Sequence, residues 1–565
     1  MIANDRETSV PWWKATTVYQ IYPRSFADTN ADGVGDLPGV VGRLDYLKDL
    51  GVETLWLSPF FTSPQADFGY DISDHYGIAP EYGTTDDCLA LIEAVHARGM
   101  KIVFDMVLNH TSNEHPWFQA SRRSRDDPHR DYYIWREGRG RRGTKPPNNW
   151  RSMLGPSGWH RDDATGEWYW ATFLPFQPDL NYRNPDVKRA MLDVVRHWLG
   201  LGVDGLRLDI FNAIFKDASY ADNPFSMRPV PSEDNPHGFF QRNVGTIDHP
   251  DTLAFARELR SVVDGVPGPP RFLVGEVFGD AAMLKRYCGD ADDAGLHLVF
   301  LFKAMRTACD ARSVRDLVEG FERAFPEPFV PTYVFGNHDR PRFGGRHDDH
   351  VGKAKLFATL QLTARGVPFI YYGEEIGMGH HEIPLAMGLD PVAAQYGFIP
   401  QWGARALRRF GILLNRDECR RPMQWTAGPH GGFTHGASAP WLPMHPRFET
   451  VNVAAQEHDP TSLLSCYRRL LALRKERPAL SMGTLELLDG LPQGIVGYRR
   501  AYGVGASDDV VFVFLNCADK TRTITLPEAA GFSLFSTRRG DLAAAPSPLE
   551  LAAHESVLVL SPRDG

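Results

Sequence analysis

The runs "KIVFD", "GLRLD", "FLVGE" and "VFGNHD" end in Asp105, Asp209, Glu276 and Asp339, with His110 and His338 close by. Each is a short, mainly apolar segment that finishes in a carboxylate. One such residue could be structural. Four on four separate segments suit a site where one carboxyl holds a proton while another stays charged, the pattern that sugar hydrolysis requires. Within "GVDGLRLDIF" (202–211), Leu206, Leu208 and Ile210 alternate with Arg207 and Asp209. Alternate strand residues share a face. Arg207 and Asp209 are therefore expected in the mouth of a barrel, and the three aliphatic residues against surrounding helices. A cation two residues away favours the charged form of Asp209.

Helices and strands alternate along the chain to position these groups. "VVGRLDYLKDLG", "TTDDCLALIEAVHARG" and "NPDVKRAMLDVVRHWLG" carry apolar residues at helical spacing, and each is followed closely by a strand. In the second, a Thr is expected at the N-cap and Gly99 past the C-terminus. Together with "TVYQIYP", "HLVFLF" and "PFIYYGEE" the strands number eight, which predicts a parallel (β/α)8 barrel whose active groups sit at the C-terminal strand ends. The stretch between His110 and Asn181, rich in Arg, Gly, Pro and Trp, breaks the rhythm and predicts an insertion after the third strand. Past about residue 485 the strands shorten and predict a separate antiparallel β-sandwich. The expected domains are 1–109 and 182–485 for the barrel, 110–181 for the insertion and 486–565 for the sandwich.

Composition narrows the class. The 565 residues are 43% hydrophobic and carry a formal net charge of −9, with no basic footprint for nucleic acid or an anionic membrane. The start, "MIANDRETSVPWWK", lacks the apolar core of a secretory signal, and no run of 18 apolar residues predicts a membrane span. Six scattered cysteines form no framework, as expected of reduced thiols in a cytoplasm. Aromatic residues make up 12% of the chain, enough to supply stacking surface for sugar rings as well as core. A monomer or small homo-oligomer is expected.

The motifs "DMVLNH", "GLRLD", "VGEVF" and "GNHD", in that order, resemble the four short signatures of the α-amylase superfamily of retaining glycoside hydrolases (family 13). "QPDLN" (177–181) resembles a fifth, typical of its oligo-1,6-glucosidase and α-glucosidase branch. The resemblance runs from "VYQIYPRSFAD" through "RRPMQW" to the C-terminal β domain. It implies that Asp209 is the nucleophile, Glu276 the acid and then base, and Asp339 the residue that orients the sugar. It implies glucose contacts from Asp67, Tyr70, His110, Phe173, Gln177, Arg207, His338 and Arg420. Asp67 and Arg420 are expected to pair and close the pocket, so that only a chain end enters, while Tyr70 stacks on the ring. Asp105 is expected to support the site rather than touch substrate.

The resemblance implies an exo-acting α-glucosidase acting on short α-glucosides through a glucosyl-enzyme. The same double displacement would serve a transglucosidase or a sucrose or maltose isomerase. A non-catalytic binding or transport subunit is disfavoured by the intact carboxylates. Arg340 departs from the branch, where Gln is frequent. An aliphatic residue after the nucleophile, here Ile210, accompanies α-1,6 cleavage in relatives. The segment beginning "HHEIPLAMGLD" (380 onward) is expected to shape the acceptor side. "DTNADGVGD" sets Asp28, Asn30, Asp32 and Asp36, with the Val34 carbonyl, at the spacing of a cation loop, and Gly33 falls where such loops turn. A structural Ca2+ or Mg2+, and no organic cofactor, is expected.

Overall fold

The computed structural model describes residues 10–290, 293–346, 350–409, 411–436, 438–503, 509–526, 533–542, 544 and 546–561. Residues 1–9, on which the signal-peptide expectation partly rests, lie outside that set.

Eight parallel strands form a nearly closed barrel: β1 (Val18–Ile21), β2 (Thr54–Leu57), β3 (Lys101–Met106), β4 (Gly205–Leu208), β5 (Phe272–Gly275), β6 (Leu298–Val299), β7 (Thr332–Val334) and β8 (Val367–Tyr371). The order is β6-β5-β4-β3-β2-β1-β8-β7. All eight expected strands are present, though β6 and β7 are shorter than their apolar runs suggest. At the seam between these two, a side chain stands in for the ladder. The Thr332 hydroxyl donates to the Val299 carbonyl at 2.9 Å and accepts from the Leu301 amide at 3.0 Å.

The period of two sorts the strand residues. Tyr19, Ile21, Leu55, Leu57, Ile102, Phe104, Leu206 and Leu208 join the main core outside the barrel. Val18, Trp56, Val103, Phe272, Val274, Leu298, Val334, Val367 and Phe369 form a second cluster that plugs its interior. Continuing the inward set toward the strands' C-terminal ends gives Gln20, Asp105, Arg207, Asp209 and Glu276. An apolar plug below leaves these polar groups only the upper mouth to face. Register brings Asp105 of β3 directly beside Arg207 of β4. Gly205 begins β4 where a Cβ would lie 2.5 Å from the Phe272 ring, so close β4–β5 packing needs glycine there.

The helices start and stop as their sequences dictate. Thr84 caps Thr85–Ala97 through a reciprocal capping box with Asp87, and Gly99 follows at φ +70°. Asn184 caps Pro185–Gly200, which buries Met191, Val194, Val195, Trp198 and Leu199. The stretch read as one helix before β2 is two, Leu37–Val41 and Leu44–Leu50, the second ending at Gly51 with φ +103°.

Between β3 and β4, Trp135–Arg136, Trp159–Arg161 and Trp168–Trp170 form a small antiparallel sheet backed by Trp150. From Thr484 onward a six-stranded antiparallel sheet and the pair Arg522–Ile524 with Leu549–Leu551 enclose their own apolar core. The six cysteines are free. Among the described residues no helix is long and apolar enough to cross a membrane.

Candidate active site

A cavity of about 430 Å³ opens at the C-terminal end of the barrel strands. Asp67, Tyr70, His110, Phe173, Gln177, Asp209, Glu276 and Asp339, all expected as site residues, line it together with Ile210, Phe278 and Arg416. Arg207, His338 and Arg420 stand one layer behind.

Arg207 organises the floor. It is fully buried and donates from Nη1 to Asp105 at 2.8 Å and to Asp209 at 2.7 Å, and from Nη2 to Glu276. Three carboxyls therefore share one cation. Burial raises Glu276 to about 8; Arg207 opposes that rise, and the nearby Asp209 and Asp339 reinforce it. Burial also raises Asp209, to about 6, while Arg207 and a hydrogen bond with Glu276 hold it down. Between pH 6 and 8 the proton of the pair belongs to Glu276, and Asp209 is ionised. Both carboxyls reach one guanidinium, which holds them side by side as the two carboxyls of a retaining site must be held.

Behind the floor runs a chain of hydrogen bonds. The Gln20 amide nitrogen lies 2.9 Å from His338 Nδ1, which leaves the ring proton on Nε2, 2.7 Å from the Tyr70 hydroxyl. That hydroxyl donates to Asp105 at 3.2 Å, and the Tyr70 and His338 rings stack at 5.3 Å. Burial drives His338 down to about 3, so it is neutral at physiological pH and works as a fixed donor. His110 is likewise lowered by burial; its Nε2 meets the Tyr70 carbonyl and its ring packs edge-on against Phe173.

The far wall corrects one expectation. Asp67 does not meet Arg420. Its Oδ1 accepts from Arg416 Nη2 at 2.6 Å and its Oδ2 from Gln177 at 3.1 Å. Arg416 opens a short helical turn (Arg416–Cys419), and its backbone amide and guanidinium both bond Asp390, which is wholly buried. Arg420 closes that turn from behind, donating from Nε to the His338 carbonyl at 3.0 Å and from Nη2 to Asp339 at 2.9 Å. Burial would raise Asp339, but the neighbouring His338 and then Arg416 and Arg420 hold it well below the usual carboxylate range. Both arginines lie in "NRDECRRPMQW", four residues apart. Only the three-dimensional turn decides which one reaches the cavity. Asp390 belongs to the segment expected to shape the acceptor side, and this residue buttresses the closed end through Arg416.

Ile210 is the second correction. β4 stops at Leu208, and Ile210 takes φ +36°, ψ +48°, a strained region for a β-branched residue. It turns from the helix side into the cavity wall, where it packs with Ala213 and Ile247. Apolar alternation read straight through Asp209 missed that turn. Phe278, two residues beyond Glu276, carried no sequence signal of its own.

The Asp28–Asp36 loop lies elsewhere. Asp28 accepts from the amides of Asn30, Ala31 and Gly33, Asp32 from that of Val34, and Asp36 caps the following helix through the Gly39 amide. No group of three or more His, Cys, Asp or Glu residues converges as a metal cage would among the described residues. The oxygen donors that could take a hard cation here remain Asp28, Asn30, Asp32, Asp36 and the Val34 carbonyl.

A parallel eight-stranded barrel with paired proton-holding and ionised carboxyls at its C-terminal mouth, beneath a pocket walled by further charges and rings, defines a carbohydrate-active (β/α)8 enzyme. Comparison with known proteins narrows this. The alpha amylase catalytic domain matches residues 20–483. A probable alpha-glucosidase of Rhizobium meliloti (strain 1021) is 38% identical over 529 residues, 91% of each chain. An oligo-1,6-glucosidase of Parageobacillus thermoglucosidasius is 38% identical over 542 residues, 92% of each. Among solved structures, an alpha-glucosyl transfer enzyme superposes with a TM-score of 0.86 at 36% identity, covering 98% of this chain and 100% of that one. The trehalulose synthase MutB of Pseudomonas mesoacidophila MX-45 does so with a TM-score of 0.84 at 32% identity, with the same coverage. The chain belongs to the alpha-amylase family.

Proposed function

We propose that the protein is an exo-acting, retaining α-glucosidase that removes glucose from the non-reducing end of short α-glucosides. One observation carries the reading: the cavity holds Asp209 and Glu276 at its floor and is closed at one end by Asp67, Gln177 and Arg416. Asp209 attacks the anomeric carbon as the leaving oxygen takes the Glu276 proton. Glu276, now ionised, draws the proton from water, which then cleaves the glucosyl ester on Asp209. Asp339, held ionised, grips sugar hydroxyls through charge-assisted hydrogen bonds. Tyr70, His110 and Phe173 orient the ring, and His338 holds Tyr70 from behind.

The reading predicts that glucose appears singly from maltose- or isomaltose-type oligosaccharides and that the interior of soluble starch stays uncut. Rapid loss of iodine staining would overturn it. The likeness to an alpha-glucosyl transfer enzyme and a trehalulose synthase supports a second reading on the same site, transfer of the glucosyl group to a sugar hydroxyl. Product analysis at high substrate concentration separates the two, since transfer carries the glucosyl group into new oligosaccharides where hydrolysis frees it as glucose.

Three further points complete the proposal. The Asp28–Asp36 loop holds a structural Ca2+ or Mg2+, far from the chemistry. The free cysteines support a cytoplasmic location. The net charge of −9 supports no role with nucleic acid.

A further inference from the structure

The acceptor side of the cavity follows from the chemistry. A proton on Glu276 must lie beside the leaving oxygen. The departing sugar therefore leaves past Glu276 and Phe278, away from the end closed by Asp67 and Arg416. On that side the Glu233 backbone carbonyl accepts from the Gly279 amide at 2.8 Å, three residues after Glu276. Its carboxylate accepts from Arg340 Nε at 2.7 Å, with Arg340 Nη2 ion-paired to it at 2.5 Å, and from Arg306. Arg340 directly follows Asp339. One residue thus ties the loop after β5, which carries Glu276, to the loop after β7, which carries Asp339.

Glu233 is not on a free flap. The segment that carries it is fixed to the inserted domain: the Tyr220 ring stacks on Trp150 at 5.4 Å, and Asn148 Nδ2 donates to the Tyr220 carbonyl at 3.0 Å. Exposure then sorts the cluster. The Glu233 side chain is 8% exposed, whereas those of Arg340 and Arg306 are 35% and 44% exposed. The carboxylate is the buried member of the cluster, and the two guanidiniums are its exposed members, Arg340 next in the chain to Asp339 of the cavity wall. A guanidinium carries five N–H donors in a fixed fork, so one edge can bind Glu233 while the other meets oxygen atoms of a ligand.

We propose that Glu233 is a positioning residue that holds Arg340 and Arg306 as a cationic rim, which hydrogen-bonds the hydroxyls of the leaving or accepting sugar and favours sugar over apolar aglycones. This rests on the α-glucosidase reading. It also gives a role to Arg340, the residue that departs from the family pattern.

The test compares kcat/KM on a disaccharide and on an aryl α-glucoside, in the wild type, Glu233→Gln and Arg340→Gln. The disaccharide-to-aryl ratio is expected to fall about tenfold in each variant, the size of one charged hydrogen bond. The loss should lie in KM for the disaccharide rather than in kcat. Glu233→Asp, which keeps the charge, should restore part of the ratio. Equal losses on both substrates, or no loss, would overturn the proposal. If Glu233→Gln does not fold, Arg340→Gln alters only a partly exposed side chain and reads the same ratio. A wild type that turns over neither substrate would sink the α-glucosidase reading and this inference with it. An active wild type whose ratio the variants leave unchanged would sink the rim alone.

Discussion

Two arginine-centred clusters face each other across the cavity, and their charge ratios differ. On the floor, one cation, Arg207, serves three carboxyls: Asp105, Asp209 and Glu276. On the far wall, two cations, Arg416 and Arg420, serve Asp67, Asp339 and Asp390. Exposure differs as well: the Asp339 side chain is 31% exposed, those of Asp105, Asp209 and Glu276 10% or less. Burial wins on the floor, where Asp105, Asp209 and Glu276 are all raised, and the surrounding charges win on the wall, where Asp339 and Asp390 are lowered. A carboxyl keeps or loses its proton according to how deeply it is buried and how many cations it shares, more than according to its own type. The floor is thereby set for proton transfer, and the wall for fixed negative charge that grips hydroxyls.

Removing the single cation of the floor should have the largest effect. Arg207→Met leaves three buried carboxyls with no counter-charge, which should cost about 3–5 kcal/mol of stability and on the order of 10²–10³ in kcat. With the guanidinium gone, Asp209 is raised further, so the acid limb of kcat/KM should move to higher pH. Urea denaturation and a pH–rate profile measure both. Near-wild-type stability with an unmoved acid limb would mean that Arg207 does not set these protons.

The wall should respond less, and pairwise. Asp67→Ala and Arg416→Ala should each lose most disaccharide activity, and the double mutant should lose far less than the sum, with a coupling of about 0.5–3 kcal/mol. Asp67→Ala combined with Arg420→Ala should be nearer to additive, because Arg420 reaches Asp339 instead. A larger coupling for Asp67 with Arg420 than with Arg416 would reverse the wall's geometry.

The smallest effect belongs to the Asp28–Asp36 loop, which contributes no residue to either cluster. If it binds a cation only when folded, a chelator should lower Tm by about 2 °C while activity at low temperature persists. Elemental analysis without metal, and an unmoved Tm in Asp32→Ala, would remove the cation.

Much of this was legible in the sequence, for identifiable reasons. The eight strands declared themselves because barrel strands are buried on both faces and read as apolar runs, and because four of them end in a carboxylate. The wall was less legible. Arg416 and Arg420 have the same chemistry and stand four residues apart, so their contacts depend on a short turn anchored by Asp390, whose segment has no periodicity. Ile210 was misread because a strand pattern was carried one residue past the point where the backbone turns left-handed. Glu233, Arg306 and Arg340 lie on loops that only the fold brings together, 73 and 107 positions apart in sequence from the carboxylate. Periodicity reports on cores. It is silent about charges that meet between long loops.

The central claim is that the proton of the floor pair sits on Glu276 while Asp209 is ionised. The direct test is the pH dependence of kcat/KM on an aryl α-glucoside with a good leaving group, in the wild type and in Glu276→Gln. A wild-type bell is expected, with its acid limb set by Asp209 near pH 6 and its alkaline limb by Glu276 near pH 8. Glu276→Gln should lose the alkaline limb and keep the acid one, because the group that deprotonates at high pH is gone while Asp209 must still be ionised to attack. An alkaline limb that persists unchanged in Glu276→Gln would place the proton elsewhere and contradict the account.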